Sequence, residues 1–325
     1  IFGVELARRE RPSDLGRPFM ARFGDISRVE ARGNEVRVTL KSGTAFDLDR
    51  FEASDFDDGV RVWDGERGVV DLDSGRIRSI EFHATPPLQG APGRLFGRVR
   101  ARRGEFTGFV QWDRMQGVGT DELRGRGAEG DVRLRLDAVR SIESRSGGRA
   151  GVAVLDDGRE VTLRAVGDRR IGDRGLYVDD SRYGRVLVSW GAFERVDFAV
   201  AGSGPAYDEF PAGGPISGTV TDRNGRRLVG RLVYDLDESE ITETLDAPLE
   251  GVDYTIPFGA IASIETASGT VTLVGGEVLR LEKRGDLGEA NAGVLIFVDG
   301  QERPAYLPWT EIERFDLRPL RPRAD

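Results

Sequence analysis

The chain has 325 residues, 38% hydrophobic and 32% charged, with a formal net charge of -9. No apolar run approaches the ~18 residues a membrane-spanning helix needs, and the acidic balance disfavours nucleic acid or an anionic bilayer as a partner. Cysteine is absent and His83 is the single histidine, which excludes disulfides, thiolate chemistry and His-rich metal centres. Lys41 and Lys283 are the only lysines, so arginine carries nearly all the positive charge, as expected of a GC-rich bacterial genome. The first residue is Ile, which fits a processed chain and a removed signal peptide.

In chain order the elements are short strands separated by glycine-containing turns, consistent with 44 glycines. "IFGVE" (1–5) reads as the second strand of a hairpin whose first strand is missing, so a strand from elsewhere should complete it. "FGDISRVE" (23–30) follows, then the alternating hairpin "VRVTLKSGTAFDLDRF" (36–51), then "GVRVWDG" (59–65), then "GRIRSIEF" (75–82). The same succession returns twice, each time with an opening hairpin: "GRVRARRGEFTGFVQWD" (97–113) and "GTVTDRNGRRLVGRLVYD" (218–235). "LDAVRSIE" (136–143), "GAFERVDF" (191–198), "FGAIASIE" (258–265) and "TEIERFDL" (310–317) complete a set of six matching phrases. Each phrase sets two apolar residues three apart, as in Ile261 and Ile264, followed by an acid. That spacing predicts a single turn of 3₁₀ helix with both apolar residues buried, plugging one end of a barrel.

The expected fold is all-β, built of tandem small β-barrels as six half-repeats in three modules. These span 1–82 (first strand missing), 94–199 and 216–318, joined by Pro/Gly/Ala-rich linkers at 83–93 and 200–215, with a tail at 319–325. A six-bladed β-propeller is the competing architecture, since four strands per blade would fit the spacing. Strand count, unit length and the repeated turn resemble Sm-like small barrels, without an Sm RNA-binding signature. The alternation of two unit types, with "WD" or "YD" closing a hairpin, is similar to uncharacterised repeat proteins of Gram-negative bacteria, a resemblance that implies no activity.

Candidate sites are sparse. Asp235 and Asp237 in "YDLDESEITE" (234–243) imitate the first ligands of a calcium loop, but Glu240 stands where its glycine belongs; a solvated strand end is the competing reading. Asp57–Gly59, Asp173–Gly175 and Asn291–Gly293 read either as three equivalent calcium or sugar sites or, in preference, as Asx turns. Trp63 is the tryptophan expected to be exposed for a partner, whereas Trp190 and Trp309 are expected in the core. His83 lies beside Glu81, but strand alternation should point the two apart. Arg318, Arg321 and Arg323 give the tail a positive charge suited to an acidic surface. No nucleotide or hydrolase fingerprint falls in the required strand–loop–helix setting. The expected function is therefore a non-enzymatic scaffold without cofactors. It would bind protein partners as an accessory subunit of a membrane-associated complex, extracytoplasmic (periplasmic) in a Gram-negative bacterium. A carbohydrate-binding or cell-envelope module is the alternative.

Overall fold

The computed structural model describes residues 21–49, 53–86, 90, 92–127, 130–145, 150–164, 174–201 and 204–318. The expected first strand at 1–5 and the tail with Arg321 and Arg323 lie outside the described residues. The protein is all-β. Its first strands are β1 (Ile26–Arg32), β2 (Glu35–Leu40), β3 (Ala45–Asp49), β4 (Val60–Asp64), β5 (Gly68–Leu72) and β6 (Ser79–Glu81). Next come β7 (Phe96–Ala101), β8 (Gly104–Trp112), β9 (Glu122–Arg126), β10 (Asp131–Arg135) and β11 (Val139–Arg145). They are followed by β12 (Ala150–Leu155), β13 (Glu160–Arg164), β14 (Leu176–Asp180), β15 (Gly184–Val188) and β16 (Phe193–Ala199). The chain continues with β17 (Ser217–Asp222), β18 (Arg227–Tyr234), β19 (Thr244–Leu249), β20 (Val252–Pro257) and β21 (Ile261–Glu265). It ends with β22 (Thr270–Leu273), β23 (Val278–Arg280), β24 (Val294–Val298), β25 (Ala305–Leu307) and β26 (Ile312–Leu317). One α-helical turn, Ser54–Asp57, is the only α-helix among the described residues.

The last eight-stranded sheet runs β23-β22-β21-β26-β17-β18-β24-β25. Within the twelve-stranded sheet the run β13-β12-β11-β16-β7-β8-β14-β15 has the same order, strand for strand. The four-stranded sheet β3-β2-β1-β6 follows its first half, and β4-β5 forms a separate hairpin. No sheet closes into a barrel, which corrects the expected small barrels, and sheets of four, twelve, eight and two strands do not divide into propeller blades. The physical reason lies in β20. It does not close on its own sheet; it pairs with β15, Val186 opposite Tyr254 and Val188 opposite Val252, and so extends the preceding sheet across the 200–215 segment.

The six repeated phrases also resolve differently from expectation. In the motif "FGAIASIE" the 3₁₀ turn takes only Phe258–Ala260, and the strand begins at Ile261. A strand buries every second residue, so two inward residues three apart need an extra one between them. A β-bulge supplies it: Ile261 pairs with Leu273 but Ser263 with Thr272. Equivalent register breaks follow Ile26, Val139 and Phe193, and one lies opposite Ile312. All twelve apolar positions of the phrases are buried except Ile80, which is half-buried.

Two apolar cores result. A small one gathers Ile26, Val29, Val36, Val38, Leu40 and Leu48. A large one runs without a break from Leu95 to Leu317. At its waist Tyr254 of β20 meets Phe106 and Tyr183 of the preceding sheet edge-on, at 6.0 and 5.8 Å between ring centroids. Arg103 and Glu250 form an ion pair across the same junction at 2.7 Å. The 200–215 segment is not a free linker. Tyr207 donates to the Ile26 carbonyl, and Lys41 donates to the carbonyls of Tyr207 and Phe210 while standing 3.7 Å above the Tyr207 ring.

Candidate binding groove

A groove of about 740 Å³ opens beside the last sheet. Trp309 lines it, half-buried and stacked on Phe315. Arg223, Lys283 and Arg284 line it, all exposed, against the single acid Glu289. On a chain with net charge -9 and two lysines, this gathers one lysine and two arginines in one groove with an aromatic ring. Arg223 is fixed by its Nε on the Thr310 carbonyl at 2.7 Å, and Arg284 shares Glu282 at 3.1 Å.

One wall is the loop 283–290, and its anchorage uses Asp235, one of the two acids that read as a calcium loop. Asp286 is 1% exposed; its carboxylate accepts from the Asp246 N–H at 2.6 Å. The Asp286 carbonyl accepts from the Tyr234 hydroxyl and the Asn291 amide. Asp235, also buried, accepts from the Ala292 N–H. Asn291 accepts from the Gly293 N–H at 2.8 Å and Gly293 has φ +100°, the Asx turn preferred from sequence. A Cβ at Gly293 would stand 2.2 Å from the Leu307 carbonyl oxygen, so only glycine fits.

Asp237 is hydrogen-bonded to Glu238, whose carboxyl is held far above the usual carboxylate range by burial and by the Asp237 charge. Glu243 accepts from the N–H groups of both Ser239 and Glu240, yet burial outweighs those bonds and pushes it up to about 7. Asp121 does the same work in the preceding sheet, accepting from Gly117 and Val118. Among the described residues no group of three or more His, Asp or Glu side chains is placed to hold a metal ion.

The remaining expected site residues lie apart. Trp63 is 43% exposed on β4. Arg318 is exposed, with its N–H on the Ser217 carbonyl. His83 does come near Glu81, at 3.8 Å, which corrects the expectation: Phe82 separates the two, and in an extended chain residues i and i+2 lie on the same face; both are exposed. Trp190 is in the core as expected, whereas Trp309 is only half-buried. Sequence reasoning missed the groove. Its one available signal was Lys283, a rare residue next to Arg284 in a glycine-rich loop. No family model, curated protein or solved structure matches the chain.

Proposed function

We propose that the chain is a non-enzymatic scaffold, three copies of one all-β unit with the first incomplete, and that it docks an acidic segment of a protein partner in the groove around Trp309. The observation that carries this reading is the charge of the groove: Arg223, Lys283 and Arg284 line it together with Trp309 in a chain that is otherwise acidic. Arginine forks and an ammonium group recognise carboxylates, and a half-buried indole supplies the apolar contact that fixes the partner's position. A solvent-open groove lined by exposed charges suits a transient or accessory subunit contact, because rim charges steer association and set its salt dependence. The wider setting that fits is an accessory subunit on a membrane-associated complex, in the periplasm of a Gram-negative bacterium.

Trp309 also favours a second reading, an acidic glycan whose ring stacks on the indole while its carboxylates meet the same cations. Titration with a glutamate-rich peptide and, separately, with a polyuronate separates the two. The scaffold reading expects the peptide to bind, with affinity falling as salt rises, and to be lost in the Lys283→Glu/Arg284→Glu variant. Binding of the polyuronate alone supports the glycan module, and binding of neither removes the groove from the function.

A further inference from the structure

We propose that the exposed edge of β5 is an interaction surface whose occupant is β10 of the same chain, the two pairing as β15 pairs with β20. The basis is positional. Hairpin β4-β5 stands where β14-β15 and β24-β25 stand in the other two sheets: each follows the third strand of its meander and precedes the strand that carries the second phrase. In the middle copy the outer strand, β15, takes β20 as its neighbour. Here β5 pairs only with β4, and β10 only with β9, so both present an unpaired ladder among the described residues.

The three outer strands differ in how they are prepared for a neighbour. In β15, Gly184 leaves room for β20: a Cβ there would stand 2.7 Å from the Thr255 carbonyl oxygen. The first copy keeps that glycine, Gly68, with the same positive φ and open space around it. The last copy does not. Counting back from the strand end, Arg303 and Pro304 occupy the places of Gly184 and Arg185, and the strand shortens to Ala305–Leu307 between two prolines. A short, proline-flanked edge is a blunted edge; a five-residue edge with glycine retained is an open one.

Transferring the β15–β20 register sets Val70 opposite Val132 and Val69 opposite Arg133. The inner face of the hairpin is left uncovered in the present arrangement: Val62 is 39% exposed, where Val178 at the same place in β14 is fully buried. Asp71 would face Asp131, and each acid has an arginine beside it. Arg61 grips Asp71 at 2.7 and 3.1 Å, and Arg133 lies two residues along on the Asp131 face.

The absence of cysteine gives a clean test. The double variant Val70→Cys/Val132→Cys, under mild oxidation, should form an intramolecular disulfide, seen as a monomer 2 Da lighter. Val69→Cys/Arg133→Cys, at two exposed positions, should do the same without touching either core. Val186→Cys/Tyr254→Cys, at the observed junction, calibrates the yield. Yields in both test pairs within about threefold of the calibrating pair confirm the closure. Disulfide-linked dimers assign the edge to a second copy instead, and free thiols in both test pairs beside a linked calibrating pair show that the edges do not meet; either result overturns the proposal.

Discussion

Ile264 shows how much one side chain can report. It is fully buried, one of two inward residues that a bulge brings onto the same face. Ile264→Ala should cost about 2–5 kcal/mol in urea denaturation, the range for a core truncation, whereas Val200→Ala, at a residue 96% exposed, should cost under about 0.5 kcal/mol. The sequence spacing made these positions recognisable as core, but it suggested a helical turn because three-residue periodicity is shared by 3₁₀ turns and by bulged strands. Only the pairing partner distinguishes them, and that partner lies on another strand.

Glu243 makes a second prediction at this scale. Its carboxyl sits near 7 in the fold against 4.5 when solvated, so the folded state binds the proton more tightly than the unfolded state. Its contribution is therefore favourable below about pH 4.5 and is lost as the pH rises through about 7. Asp180 and Asp197 are shifted downward by Arg182 and Arg195, so both stay ionised from pH 8 to 5 and add nothing to the trend there. Stability should rise by about 2–3 kcal/mol from pH 8 to pH 5 on account of Glu243. Glu238, held far above the carboxylate range by burial, adds a rise of its own over the same interval, so Glu243→Gln, which keeps an oxygen for the Ser239 and Glu240 N–H groups, should remove only the share that belongs to Glu243; an unchanged pH profile in the variant would show that this share belongs elsewhere.

At the scale of the element, strands were legible because alternation and glycine turns are local signals, while their neighbours were not. The paired glycines of the opening hairpins, Gly108 and Gly230, show the difference. Read in sequence they mark a repeated strand; in the fold each gives way to a carbonyl of the next strand. A Cβ at Gly230 would lie 2.2 Å from the Phe297 oxygen and 2.8 Å from its carbonyl carbon. Gly230→Ala should push β18 and β24 apart and lower stability by more than about 2 kcal/mol, measured by chemical denaturation. The groove wall is an element of the same kind. Asn291 holds it through Asp286 and Gly293, so Asn291→Ala should weaken peptide binding several-fold while leaving the melting of the β7–β16 region unchanged.

The whole molecule was the least legible level. Unit length and strand count suggested closed barrels, since a short chain of strands normally protects its edges by closing on itself. Here the edge is protected by the next unit: Tyr254 completes a cluster of three rings with Phe106 and Tyr183, and one apolar core runs through the junction. Such a transfer leaves no local trace, because β20 carries the same alternation whichever sheet receives it.

The central claim is that the second and third units share one sheet. Native-state hydrogen exchange at the amides of β15 and β20 tests it most directly. The account predicts that Arg185, Leu187, Asp253 and Thr255, whose amides alternate with the Ser189 N–H on the Gly251 carbonyl and so face across this ladder, exchange as slowly as the core strand residues Val99 and Val220, through global unfolding alone. Exchange at these four amides much faster than at Val99 and Val220 would mean that the two units separate in solution, and would contradict the shared sheet.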